Sequence, residues 1–255
     1  MKARNFVNAT GPSAPHQQPC VYGIHPVSEW LRACPVRLRT VHYEPRSAHR
    51  LAELLRRAES VGVAARPSDE RALAAMAGTP HHQGVVASAA PFPYGEPDAL
   101  STTTAQLLLA ADQLQDPHNL GALLRTAEAV GAGGVITPKD NSVPVTATVE
   151  AAAAGAAALI PVYRVTNLTR TLQAVKKRGY WIVGLMAHGG IDLFQFSAPD
   201  RVILVVGGET GMRPLVARQC DFAVSIPMFG RVESLNASVA AAIIAYELRR
   251  QWWVA

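Results

Sequence analysis

Three short segments of this 255-residue chain gather polar side chains able to act on a ligand. The first, residues 116–127 (DPHNLGALLRTA), opens a helical pattern and carries Asn119 and Arg125. Asn119 is a candidate helix cap, and Gly121 lets another segment or a ligand approach closely. Arg125 shares a helical face with Gly121 at i, i+4. The second, residues 205–212 (VVGGETGM), surrounds one carboxylate, Glu209, with Gly207, Gly208 and Gly211. Glycines there expose backbone donors and acceptors to a ligand; the same residues also make a tight turn with Glu209 in water. The third, residues 225–238 (SIPMFGRVESLNAS), starts a helix with Ser234, Asn236 and Ser238. Short polar groups of this kind bind backbone donors, a ligand carboxylate or a ribose hydroxyl. The loop before them is apolar, with Ile226, Met228, Phe229 and Leu235, and suits an adenine ring. Ser234 as a plain helix cap accounts for one of the three polar residues.

Several other chemistries are excluded. The glycine turn is not G-x-G-x-x-G, so the dinucleotide fingerprint is absent. Cys20, Cys34 and Cys220 are too few and too scattered for a disulfide framework or a zinc cluster, and no metal site is expected. No apolar run reaches the ~18 residues of a membrane helix. The start of the chain lacks a basic-then-apolar signal pattern. With 49% hydrophobic and 17% charged residues, a packed core is within reach. These features point to a soluble protein of a reducing compartment, the cytoplasm.

The elements that must position the three segments alternate strand and helix. Strands are expected at 106–111, 134–137, 158–162, 181–185, 201–206 and 222–226, and helices at 120–130, 145–154, 168–178, 213–219 and 235–251. This pattern predicts a parallel sheet covered on both faces, with ligands at the carboxyl ends of its strands. The first part of the chain reads differently. Residues 1–19 form a loose tail, with three prolines and no apolar periodicity. Residues 20–90 make a small α/β sandwich: strands at 36–43, 62–65 and 85–88, and helices at 28–33, 48–60 and 68–76. Residues 91–99, beginning PFPYGEP, form a linker, and 100–255 form the second domain.

Charge divides at that linker. Residues 1–95 hold 11 Lys+Arg and 6 Asp+Glu, a net of +5, whereas residues 96–255 are neutral. Six of the eight histidines also fall in the first part. A basic module joined to a neutral one suggests an anionic polymer gripped by the first and worked on by the second.

In combination, the DPHNLGALLRTA spacing, the Gly-Gly-Glu turn and IPMFGRVESLNASVAAAIIAYE resemble the SpoU branch of the SPOUT RNA 2'-O-methyltransferases. VYGIHPVSEWLR, HHQGVVA, ITPKDNS and VYRVTNLTRTL are similar to its 23S rRNA (guanosine-2'-O-)methyltransferase subfamily. The resemblance spans roughly residues 21–251. It implies a trefoil-knotted α/β methyltransferase domain, a ribosomal-protein-like RNA-binding domain, S-adenosylmethionine as cofactor, 23S rRNA as substrate and a homodimer. On the matching positions, Gly207, Ile226 and Leu235 hold the cofactor through their backbone, with Gly208, Met228 and Thr137 beside it. Arg125 falls on the family's catalytic arginine, and Glu209 on its second-motif glutamate. Asn119, Ser234 and Asn236 are implied to orient the ribose and Arg125.

Two departures from the family pattern stand out. After Glu209 only Thr210 precedes Gly211, one residue short; positive φ at Gly207, Gly208 and Gly211 is expected to absorb the deletion. Where the family has lysines before Gly155 this chain has Glu150 and Ala151, which is expected to remove RNA contacts.

Overall fold

A computed structural model describes residues 18–254; the expected tail lies almost wholly outside the described residues. The chain folds around two sheets. The first is built from β1 (Cys20–Tyr22), β2 (Leu38–Tyr43), β3 (Ala64–Pro67) and β4 (Val85–Ala89), in the order β1-β4-β2-β3. Helices α1 (Ile24–Ala33) and α2 (Ala52–Ser60) cover one face, where Trp30, Leu31, Leu51 and Leu54 are buried. On the other face Leu73 of α3 (Glu70–Ala77) packs with Tyr22 and Val86. The α/β sandwich read from the sequence is therefore present. Asp69 caps α3 by accepting from the Ala72 N–H, and Gly78 closes it in the left-handed region at φ 71°.

The second sheet has seven strands, all parallel, in the order β7-β6-β5-β10-β8-β11-β9. They are β5 (Leu107–Asp112), β6 (Val135–Pro138), β7 (Val162–Val165), β8 (Trp181–Met186), β9 (Ile191–Asp192), β10 (Val202–Gly207) and β11 (Phe222–Ser225). Both faces are buried, as continuous runs such as LLLAAD and VILVVG require. Along β5, Leu107, Leu109 and Ala111 join one core while Leu108 and Ala110 join the other, the period of two turned to both sides. The first core lies under α4 (Pro117–Ala129), α5 (Ala147–Ala152) and α8 (Ala237–Val254); the second lies under α6 (Leu168–Lys176) and α7 (Pro214–Ala217).

Four local expectations change. The strand expected at 158–162 starts only at Val162, because the chain leaves α5 through Gly155 at φ 99° into a 3-10 turn over Ala156–Ala158. Asn119 does not cap α4; Asp116 does, accepting from the His118 N–H. Ser234 does not cap α8, whose first turn is capped by Asn236. Glu150 is not a surface residue: it is 2% exposed and faces Trp30 and Arg37 of the first domain.

Residues 91–95 are held along their length. Phe92 packs against both the α1/α2 core and the α4/α8 core. Tyr94 Oη accepts from the Val145 N–H, and the Gly95 N–H donates to the Val162 carbonyl.

Candidate functional site

The central strands β5, β10, β8 and β11 end side by side at Asp112, Gly207, Met186 and Ser225. A cavity of about 360 Å³ opens beyond them. Gly207, Gly208 and Glu209 form one wall, Met186 and Ala187 another, and Ile226, Met228, Ser234, Leu235 and Asn236 a third. Asn119 reaches in from the start of α4. This is the crevice at the carboxyl edge of a parallel sheet in which ligands of such folds bind.

The glycine turn owes its shape to close approach more than to left-handed backbone. Gly211 alone of the three takes a positive φ, 81°, correcting the expectation for Gly207 and Gly208. A Cβ on Gly207 would collide with the backbone of Gly211 and Met212, and one on Gly208 with the Gln113 carbonyl. The turn closes with the Gly211 N–H donating to the Gly208 carbonyl at 2.9 Å. It is also pinned from below. The Gly208 N–H donates to the Asp112 carbonyl, and the fully buried Asp112 carboxylate accepts from the Arg213 backbone N–H and Nε, both at 2.8 Å. Glu209 is left exposed at the cavity wall with no hydrogen-bond partner among the described residues.

Opposite it lies a three-residue polar network. Asn236 Oδ1 accepts from the Ser238 backbone N–H at 2.9 Å and from Ser238 Oγ at 2.6 Å. That fixes the amide orientation, so Asn236 Nδ2 donates to Asn119 Oδ1, at 2.8 Å. Asn119 Nδ2 then keeps both protons without an acceptor among the described residues, on a half-buried side chain facing the cavity. Asn119 and Asn236, 117 residues apart, are thus brought into direct contact. Ser238, 8% exposed, completes the network, as its grouping with Ser234 and Asn236 at this helix start suggested.

The remaining expected residues are placed differently. Arg125 lies on α4 beyond Asn119, exposed, outside the lining and without a side-chain partner among the described residues. Thr137, next to last in β6, is 1% exposed and does not line the cavity; its Oγ1 has no partner among the described residues. Leu185, Met186, Ala187 and Ala240 line the cavity and were not singled out in the sequence. Residues of the β8 run WIVGLM carry no polar signal that would separate wall from core.

The lining fits S-adenosylmethionine. Between Met228 and Leu235 the chain makes no backbone–backbone hydrogen bond among the described residues, so its donors and acceptors are available to a ligand's polar edge. Leu185, Ile226, Met228, Leu235 and Ala240 supply apolar surface for a flat ring. Among the described residues no three His, Cys, Asp or Glu side chains are grouped to hold a metal ion, and no helix is long and apolar enough to cross a membrane.

Residues 106–246 match the SpoU rRNA Methylase family, and residues 20–95 match RNA 2'-O ribose methyltransferase substrate binding. The chain is 42% identical over 242 residues to the 23S rRNA (guanosine-2'-O-)-methyltransferase RlmB of Ralstonia nicotianae, covering 90% of this chain and 94% of that one. It is likewise 42% identical over 241 residues to RlmB of Neisseria meningitidis, covering 92% and 96%. Among solved structures it is similar to the SpoU methyltransferase AviRb from Streptomyces viridochromogenes in complex with AdoMet. The TM-score there is 0.77 at 27% identity, over 94% of this chain and 92% of that one. It also resembles the A. aeolicus TrmH/SpoU tRNA modifying enzyme, with TM-score 0.54 and 28% identity over 62% of this chain and 81% of that one.

Proposed function

This chain belongs to the SpoU rRNA methylase family, and on that premise we propose that it methylates the 2'-hydroxyl of a guanosine ribose in 23S rRNA. The observation that carries the reading is the Asn119–Asn236–Ser238 network facing the glycine turn across one cavity. S-adenosylmethionine, when bound there, supplies a methyl group activated on a sulfonium. Gly207, Gly208, Ile226, Met228 and Leu235 bind it, chiefly through backbone groups.

A ribose hydroxyl is a weak nucleophile until its proton leaves or its oxygen is stabilised as an alkoxide. The free Asn119 amide protons are placed to donate to that oxygen, and Asn236 holds Asn119 in the one orientation that keeps them available. Ser234, exposed on the wall beside Asn236, orients the ribose from the other side. Arg125 is permanently cationic, so its work is to hold a substrate phosphate and offset the alkoxide charge, not to accept a proton. Glu209, unpaired at the wall, is the acceptor within reach of the cavity.

Arg39, Arg57, Arg66 and Arg71 of the first domain are exposed and have no ion-pair or side-chain hydrogen-bond partner among the described residues, which suits them to phosphate contacts. A second copy of the chain covers α8. Val239, Tyr246 and Trp253, 48%, 53% and 86% exposed, stand seven residues apart and form one apolar stripe, the spacing at which helices pack side by side. The protein works in the cytoplasm, with its RNA.

Mass-spectrometric mapping of 2'-O-methyl groups in cells with and without the protein tests the reading. Loss of one methylated guanosine in 23S rRNA supports it. Loss confined to tRNA would favour the second reading, for which the likeness to the A. aeolicus tRNA modifying enzyme speaks.

A further inference from the structure

A buried polar cluster outside the cavity joins the two domains. Glu150 on α5 accepts from Arg37 Nη1 and Nη2 at 2.6 and 2.7 Å, and from Trp30 Nε1 at 2.6 Å. The Arg37 and Glu150 side chains are 4% and 2% exposed, and their sequence separation is 113 residues. Arg37 also lies over the Trp30 ring at 4.1 Å, and its Nε donates to the Ala90 carbonyl. Every strong hydrogen-bonding group of this cluster is matched. Beside it, Gly155 removes the Cβ that would meet Glu29 Cγ at 2.6 Å, which lets α1 lie directly against the turn after α5.

The other side of α5 touches the catalytic helix. A Cβ on Gly121 of α4 would stand 2.5 Å from Ala152 Cβ and 2.7 Å from the Val149 carbonyl. One short helix is thus clasped between the RNA-gripping domain, at Glu150, and the helix that carries Asn119 and Arg125, at Gly121.

We infer that Glu150, through Arg37 and Trp30, is a positioning residue that holds the first domain in one fixed attitude to the methyl-transfer cavity. The reach from the RNA-gripping surface to the cavity is then set by packing, and which ribose in a folded RNA enters the cavity follows from that fixed reach. A domain swinging on residues 91–99 would present many riboses; a clasped one presents few. The inference rests on the reading of residues 20–95 as the RNA-gripping part.

The full chain and its Glu150→Gln variant test it. The variant keeps the side-chain shape and an acceptor for Trp30 but removes the charge that holds Arg37. Solution scattering is expected to show a larger radius of gyration. Calorimetry should show S-adenosylmethionine affinity within about twofold of wild type, while the KM for 23S rRNA rises about tenfold and kcat at saturating RNA falls less, since only the effective concentration of the cavity at its ribose is reduced. A merely stabilising pair would lower the melting temperature and leave the rRNA KM at 25 °C unmoved; that result overturns the inference, as does unchanged scattering. If Glu150→Gln does not fold, Trp30→Phe removes one donor and keeps an aromatic face, and the same shifts, smaller, are expected; their absence counts against the inference. If the wild-type chain methylates no RNA, the functional reading fails on its own, and the scattering, with RNA affinity in place of KM, still decides the clasp.

Discussion

The two polar clusters of this molecule are built to opposite specifications. At Trp30–Arg37–Glu150 the groups are buried, bidentate and matched to one another. At Asn119–Asn236–Ser238 they run from a buried Ser238 to an exposed Asn236, and one amide is left with protons to give. A buried charge without its partner is costly, so the first cluster tolerates no vacancy. A binding site needs its groups unspent, so the second keeps capacity in reserve. Burial and satisfaction mark the seat of a domain; exposure and incomplete pairing mark the place where a ligand completes the set.

The contrast is broken most severely at the seat. Glu150→Ala leaves Arg37 buried without a counter-charge and is expected to destabilise the fold by about 3–5 kcal/mol, seen as a lowered melting temperature. The corresponding loss in the cavity appears in rate instead. Arg125→Ala should cost on the order of 10²–10³ in methyl transfer with cofactor binding unchanged, checked by single-turnover kinetics beside calorimetry. A variant within a few-fold of wild type would return Arg125 to an ordinary surface arginine. Asn236→Ala removes the α8 cap and the bond to Asn119 together; about 1 kcal/mol of stability should go, with a fall in kcat that Asn236→Asp does not rescue, because a carboxylate cannot donate to Asn119 Oδ1.

Two smaller effects sharpen the contrast. Inserting a glycine after Glu209 should leave S-adenosylmethionine affinity equal or tighter by calorimetry. The short turn is already held by Asp112 and Arg213. Cofactor binding that appears only in the insertion variant would mean that the deletion disables the site. Arg66→Ala, at an exposed edge strand, should weaken RNA binding modestly and reduce the salt slope by about 1.

The cavity was far more legible in the sequence than the seat. DPHNLGALLRTA and the Ile226–Asn236 stretch carry polar residues at places where an ordinary helix start would not need them, and the alternating elements fixed where such loops meet. Asn119 and Asn236, in contact at 2.8 Å, could be assigned to one site through the family resemblance that their motifs carry. Their division of labour could not: which residue caps which helix depends on where each helix begins, and Asp116 and Asn236 took the caps expected of Asn119 and Ser234. Glu150 was unreadable because its meaning depends on Arg37, which no local pattern links to it. A glutamate in an alanine-rich helix looks like surface until Trp30 and Arg37 of another domain are laid on it. The PFPYGEP segment hid its packing in the same way: its prolines mark a linker, and nothing local in them shows that Phe92 and Tyr94 anchor it against two cores.

The central claim, that this cavity transfers methyl groups to a ribose 2'-oxygen, is tested most directly with the purified full chain, S-adenosylmethionine and 23S rRNA transcribed in vitro. The RNA is digested to nucleosides and the methylated product identified by mass spectrometry. The account predicts 2'-O-methylguanosine from a single position, lost with Arg125→Ala. Methyl groups on a base, or none on any RNA although S-adenosylmethionine binds, would contradict it.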